Sequence, residues 1–413
     1  MFDLARRPGD LAAVLNRLSD APAEPPAAII LGASPNGLSF VRSIGRRGVP
    51  VVVMEGPGDL PGLHSRYGIG VRMPDPVERH DFWMETLLSI GRSLPVRPVL
   101  IPTGDVHVLM VSRERASLCR YFRFVLPDEE VVEKLPNKRE QYGLAERNGL
   151  EAPKTFYPES EEEAIAAGDA VGFPCIVKPY YSHLWKRHKE GKLLEVADRE
   201  ELRRAFAEGA RIGQAVMVQE KIPGGDDQLF GLLVYYDRET RPICLFTKRK
   251  LRQNPVEYGD GSFQVSVRIP ELMEMGDRFC RAIGYQGLGG FEWKRDPRDG
   301  RYKLIELNPR SVSAESLTTA SGMDIPWIAY RDIGELERLE PTDSFREGVY
   351  WVNLRWDFHS FQQNRRRGNL TFFGWAGSLL GKPLRHAFLD WRDPAPAWRV
   401  AWAAARNLLG RSG

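Results

Sequence analysis

Gly290-Phe291-Glu292-Trp293-Lys294, an Asp299-Gly300 turn, and then Leu304-Ile305-Glu306-Leu307-Asn308-Pro309-Arg310 form the stretch with the densest chemistry in the chain. Two apolar runs around an Asp-Gly turn read as paired antiparallel strands, which sets Glu292 beside Glu306, one on each strand. Residues two apart on a strand share a face, so Glu306 and Asn308 project together. Two carboxylates and an amide oxygen on one face make a hard-oxygen set suited to Mg²⁺, an ion that also keeps waters and takes phosphate oxygens. Arg310, two residues further on, adds a planar fork for phosphoryl or carboxylate oxygens. The plain alternative is a solvated strand face with cross-strand charges. Against it, this face has no alternating lysine, and Asn-Pro-Arg ends it abruptly.

Upstream, Phe173-Pro174-Cys175-Ile176-Val177-Lys178-Pro179 is an apolar strand ending in Lys178, a rigidly mounted cation that can neutralise phosphate. Forty residues on, Val218-Gln219-Glu220-Lys221-Ile222-Pro223-Gly224-Gly225-Asp226-Asp227 runs a strand into a polar turn. Its backbone edge can hydrogen-bond a flat base beside Glu220 and Lys221, and the acids that follow can hold ribose hydroxyls. Taken singly, each pattern also suits a solvated lysine or a Pro-Gly turn. Lys248, Arg249, Lys250 and Arg252 form a basic run before the flexible Gly259-Asp260-Gly261-Ser262. Arg249, Arg252 and Arg268 are candidate binders of a substrate carboxylate, the other reading being a solvated face.

The N-terminal part alternates strand and helix: Ala28–Leu31, Gly37–Arg47, Pro50–Met54, Phe82–Ser93 and Val99–Pro102. That rhythm predicts a doubly wound parallel sheet, ending near Pro127. Gly32 to Gly37 follows a strand and opens a helix, with Glu55 downstream, which invites a dinucleotide reading. The spacing is GxxxxG rather than GxGxxG, and Leu38 stands where a P-loop needs Lys, so a tight strand-to-helix turn fits better. The expected division is 1–127, a doubly wound N-terminal domain; 128–222, a helical connector and small α+β subdomain; 223–340, a C-terminal α+β subdomain with the metal site; and 341–413, a basic, aromatic-rich extension.

The chain's 413 residues are 42% hydrophobic and 27% charged, a globular composition rather than a disordered or fibrous one. A net charge of +3 is too small to argue for nucleic acid by itself. The four cysteines (Cys119, Cys175, Cys244, Cys280) form no CxxC pair, which excludes a local zinc ribbon and suits a reducing compartment. No signal-peptide pattern and no run of membrane-spanning length is present, so a cytoplasmic protein is expected. Residues 345–413 carry 11 Lys+Arg against 4 Asp+Glu, and six of the ten tryptophans. Such a segment either docks on the body or on a partner copy, or lies on an anionic membrane at the inner face. A homodimer is the default assembly.

In their order and spacing these pieces resemble the ATP-grasp superfamily, which includes D-alanine–D-alanine ligase, biotin carboxylase and carbamoyl-phosphate synthase. The resemblance runs from about 28 to 335 and is closest to the short single-chain carboxylate–amine ligases, with D-aspartate ligase among the relatives. It implies an α/β and α+β chain: a doubly wound pre-ATP-grasp domain, a small lid subdomain and a C-terminal α+β subdomain. It also implies an activity: ATP converts a carboxylate to an acyl phosphate, and an amine then displaces phosphate. By position, Lys138 (in Leu135-Pro136-Asn137-Lys138) and Lys178 match the lysines that hold ATP phosphates. Glu220 and Lys221 match the adenine hinge, Ile222 or Pro223 flanks the base, and Asp227 sits at the ribose acid. Glu292, Glu306 and Asn308 match the ligands of two Mg²⁺ (Mn²⁺ being a substitute), and Arg310 the arginine near the transferred phosphoryl. With Arg310 and Lys178, Arg249 and Arg268 complete the expected catalytic set. The chain departs from the pattern in Tyr180 to Gly191, where a small Gly/Ser-rich flap is usual, and at Glu292, where several relatives carry Asp. The alternatives are a non-amine nucleophile, or a regulatory nucleotide-binding protein without turnover.

Overall fold

The computed structural model describes residues 1–7, 9–20, 24–180 and 193–409, with side chains to 406. The expected flap, with His183, Trp185 and His188, therefore lies outside the described residues, Tyr180 excepted. Three sheets organise the chain.

The first is five-stranded and wholly parallel, in the order Phe2–Asp3, Ile69–Arg72, Val51–Glu55, Ala28–Leu31, Val99–Pro102. Ala28 to Leu31 is fully buried on both faces, as parallel strands covered by helices are. Its alternate residues enter different cores. Ile29 and Leu31 join the cluster of the helix His80–Ser93, while Ala28 and Ile30 join a cluster that also takes Leu233, Phe246, Leu317 and Trp351 from downstream. The GxxxxG loop is the tight turn that its spacing predicts. Gly32 has φ +109°, and a Cβ on Gly37 would lie 2.0 Å from the Gly32 carbonyl oxygen. Glu55 does not wait for a ribose: its Oε2 accepts the Ala33 backbone N–H at 2.7 Å and fixes the loop.

The second sheet is small: Thr155–Phe156, Val216–Glu220, Cys175–Pro179 and Leu194–Val196, backed by the helices Glu161–Val171 and Arg199–Arg211. The third has seven strands, in the order Tyr302–Asn308, Gly287–Arg295, Leu229–Tyr236, Pro242–Asn254, Asp260–Ser266, Tyr350–Val352, Leu384–His386, antiparallel until the last pair. Its last two strands come from 341–413. The segment expected as an extension is thus part of the central sheet, with Trp351 fully buried in the shared core. Asp393 is fully buried too, and takes Arg42 Nε at 2.9 Å, Ser65 Oγ at 2.8 Å and the Arg66 backbone N–H at 2.9 Å from the N-terminal domain. No helix among the described residues is long and apolar enough to cross a membrane.

Candidate active site

Glu292 and Glu306 are Cα partners across the antiparallel pair, and Asn308 stands opposite Gly290. The register slips after Glu292, so Trp293 pairs with Leu304 and Ile305 bulges out. Tyr142 Oη takes up the Ile305 carbonyl at 2.9 Å, and Ile305 and its neighbour Glu306 both line one cleft. Lys138 opens the helix Lys138–Arg147, whose N-cap is Asn137. Its Nζ donates to Glu306 Oε1 at 2.7 Å. Lys250 Nζ lies 2.6 Å from Glu292 Oε2.

Two cavities meet at this carboxylate pair. The first, of about 810 Å³, lies between the small sheet and the central sheet. Ile176, Ile222, Leu229 and Ile305 give it apolar walls; Lys138, Lys178 and Lys294 give it cations. Lys178 Nζ donates to Gln219 Oε1 at 2.8 Å. The second cavity, of about 1180 Å³, is lined by Lys248, Lys250, Gln264, Asn308 and Arg310, with Asp105 and Asp260 as acids. Glu292 and Glu306 belong to both. Arg310 grips the Asp105 carboxylate through Nε at 2.5 Å and Nη2 at 2.9 Å, and Nη2 also reaches Asn308 Oδ1 at 3.2 Å. Burial pushes the Asp105 carboxyl up, but the guanidinium outweighs it and holds the group below its ordinary value. Asn36, at the start of an N-terminal helix, donates to the carbonyls of Thr103 and Ser311 and so ties that domain to the residue after Arg310.

The structure places other expected residues elsewhere. Arg249 faces away from the cavity and pairs with Asp227, whose carboxylate it meets at 2.9 Å. Arg252 is locked to buried Asp357 by two 2.8 Å bonds, and Arg268 pairs with Asp343 on the surface. For Arg249 the cause is strand parity: within Pro242–Asn254, Lys248 and Lys250 share the cavity face and Arg249 takes the opposite one, whereas Arg252 follows a register shift after Lys250. Asp227 is exposed and lies outside the first cavity; Glu257, from a neighbouring loop, lines it instead. Ile222 is inside and Pro223 is turned out to solvent. The Glu220 side chain accepts the Lys154 backbone N–H at 2.8 Å and Arg298 at 2.7 Å, and Lys303 adds to these in holding the carboxyl low against burial. Lys221 is held by Glu195 and Glu257. Any hinge contact with a base from these two residues therefore falls to their backbone. Sequence reasoning missed Lys248, Lys250, Asp105 and Glu257; period-two alternation was the available signal for the lysines.

The donor set fits a divalent cation. Among the described residues no group of three His, Cys, Asp or Glu is poised for a metal, so the protein donors are the two glutamates and the Asn308 amide oxygen, all hard. Two ammonium groups now balance the carboxylate charge that an ion would balance.

No protein-family model matches the chain. It is 24% identical over 320 residues to D-aspartate ligase of Enterococcus faecium (strain Aus0004), covering 74% of this chain and 76% of that protein. Its fold superposes on the biotin carboxylase domain of Hydrogenobacter thermophilus 2-oxoglutarate carboxylase, solved with MgADP, with a TM-score of 0.62 at 17% identity over 78% of this chain and 73% of that one. The L-amino acid ligase of Bacillus licheniformis gives a TM-score of 0.56 at 16% identity, covering 79% and 78%. The fold is that of ATP-grasp enzymes, and in sequence the chain is similar to ATP-dependent carboxylate–amine ligases.

Proposed function

We propose that the first cavity takes ATP, the second takes a small-molecule carboxylate and then an amine, and the Glu292/Glu306 pair stands where the γ-phosphoryl group crosses between them. The observation that carries this reading is that both carboxylates line both cavities. Ile176, Ile222 and Ile305 enclose the base, and Glu257 stands for the ribose in place of Asp227. Lys138 and Lys178 neutralise the phosphates. Glu292, Glu306 and Asn308 would hold Mg²⁺, in two sites; the metal, when bound, withdraws charge from the phosphate oxygens. Phosphoryl transfer of this kind needs alignment and charge neutralisation more than covalent help. Lys248, Lys250 and Arg310 supply these on the acceptor side: they hold the substrate carboxylate oxygens, and then the non-bridging oxygens of the acyl phosphate. Asp105 keeps the Arg310 fork aimed. A carboxylate oxygen attacks the γ-phosphorus as ADP leaves with the electron pair of the broken bond; the neutral amine then attacks the acyl carbon, phosphate leaves with its bonding electron pair, and the proton lost by the nitrogen goes to that phosphate. We place the protein in the cytoplasm, as a homodimer.

The test is ADP and phosphate release with Mg²⁺ across amino acids and small carboxylic acids, offered singly and in pairs. Release should require one acid, rise with a particular amine, and fall on the order of 10²-fold or more in Glu306→Ala. ATP binding without release in the presence of any acid would replace the ligase with a regulatory nucleotide-binding protein.

A further inference from the structure

The helix Phe372–Leu379 (Phe-Phe-Gly-Trp-Ala-Gly-Ser-Leu) has no charged residue and no buried one. A helix that is apolar all round belongs in an interior or against a second phase. This one lies on the outside of the molecule: Phe373 is 85% exposed, Leu380 just beyond it 72%, and Phe372 51%. It is firmly seated nonetheless. Thr371 Oγ1 caps it by accepting the Gly374 N–H at 3.1 Å, and Trp375 Nε1 donates to buried Asp357 at 2.8 Å. Trp375 also stacks on Phe361 of the preceding helix Leu354–Arg366, with ring centroids 5.0 Å apart. That helix ends in the exposed run Arg365-Arg366-Arg367.

The segment's own acids are engaged away from these arginines, of which Arg367 is paired with Glu257 from outside the segment. Of the four in 345–413, Asp357 binds Arg252, Asp390 binds Arg46, Asp393 binds Arg42, and Glu347 accepts the Arg268 backbone N–H. A second copy cannot cover the patch well: an isologous contact would bring the two arginine runs together, with no carboxylate of the segment to separate them. An anionic bilayer satisfies both halves, accepting Phe372, Phe373 and Leu380 among its acyl chains and the arginines among its phosphates.

We infer that Phe372, Phe373, Leu380 and Arg365 to Arg367 form a docking surface for an anionic lipid bilayer. The surface adjoins the first cavity: Arg252, bound to Asp357, lies two residues from Lys250, and Arg367 pairs with Glu257 of that cavity at 2.6 Å. The inference does not depend on the ligase reaction.

The experiment is co-sedimentation of the full chain with vesicles of phosphatidylglycerol and phosphatidylcholine, against phosphatidylcholine alone. The wild type should pellet with the anionic vesicles only, and less so as salt rises. The doubles Phe373→Asp/Leu380→Asp and Arg365→Gln/Arg366→Gln should each cut binding on the order of tenfold, with unchanged circular dichroism and melting. These side chains face solvent, so their replacement leaves the fold intact. A wild type that stays in the supernatant, or binding that neither double weakens, overturns the inference. A concentration-dependent dimer in sedimentation velocity that Phe373→Asp/Leu380→Asp dissolves, with no vesicle binding, assigns the patch to a second copy instead.

Discussion

Glu315 stands one residue beyond the wall of the second cavity at Ala314, is 1% exposed, and has no hydrogen-bond partner for its Oε1 among the described residues. Burial pushes its carboxyl from 4.5 up to about 8, against the pull of nearby Lys248. The consequence for stability has a definite sign. Between those two values the folded chain keeps a proton that the unfolded chain has lost, so stability is fully present below 4.5 and declines as pH rises towards 8. Lys248 works in the opposite sense: burial first, and Lys250 next, lower it from 10.5 to about 8, so its contribution grows as pH rises from 8 to 10.5. Calorimetry across the lower window should therefore show a falling melting temperature for the wild type, and a flatter profile for Glu315→Gln. The difference should amount to a few kcal/mol, on the order of 2–5, between the ends of the window. An unchanged slope in the variant would mean that Glu315 is not the group that holds the proton. The Ser-Ala-Glu-Ser text around Glu315 gives no hint of this, because burial depends on which elements close over it. Glu292, Glu306 and Asn308 were legible for the opposite reason: a hairpin with an Asp-Gly turn fixes their neighbours locally.

Pro242–Asn254 shows what element-level periodicity decides. Read as one basic run, it offered Arg249 as a substrate ligand; as a strand it sends adjacent residues to opposite faces. Lys250 is 6% exposed and touches Glu292, whereas Arg249 reaches out to exposed Asp227. Two neighbouring alanine substitutions should separate accordingly. Lys250→Ala should lower kcat/KM for the acid substrate on the order of 10²-fold, since it removes one of the cations facing the transferred group. Arg249→Ala breaks an exposed ion pair and should stay within about threefold of wild type in rate and within about 1 kcal/mol in stability. Steady-state kinetics on both proteins decides it, and comparable losses would discard the parity argument. The same periodicity, applied to the βαβ rhythm of the first hundred residues, did predict the parallel sheet. Two of its five strands escaped it, Phe2–Asp3, where two residues carry no period, and Ile69–Arg72.

At the scale of the molecule, the C-terminal segment closes the structure rather than trailing from it. Local patterning marked 345–413 by its tryptophans and arginines, but Tyr350–Val352 pairs with the distant Asp260–Ser266, and the segment meets the N-terminal domain across 351 residues between Arg42 and Asp393, which leaves no local trace. Asp393 is the clearest clasp. It is fully buried, Arg42 is 3% exposed, and desolvation lowers the guanidinium's pKa even with that carboxylate beside it. Taking two charges out of water is costly, so the pair adds less net stability than its geometry suggests, but removing one partner leaves the other buried without a counter-charge. Asp393→Ala should therefore destabilise the protein by about 3–5 kcal/mol in urea. It strands Arg42 and also deprives Ser65 Oγ and the Arg66 N–H of their acceptor. Arg42→Met/Asp393→Leu should recover much of that loss, because it buries no charge at all. If the double is as unstable as the single, the clasp holds through shape and hydrogen bonds to Ser65 and Arg66 rather than through the charge pair. If Asp393→Ala is near neutral, the N-terminal domain and the C-terminal segment are joined chiefly by the shared apolar core around Trp351 and by the Arg46–Asp390 pair.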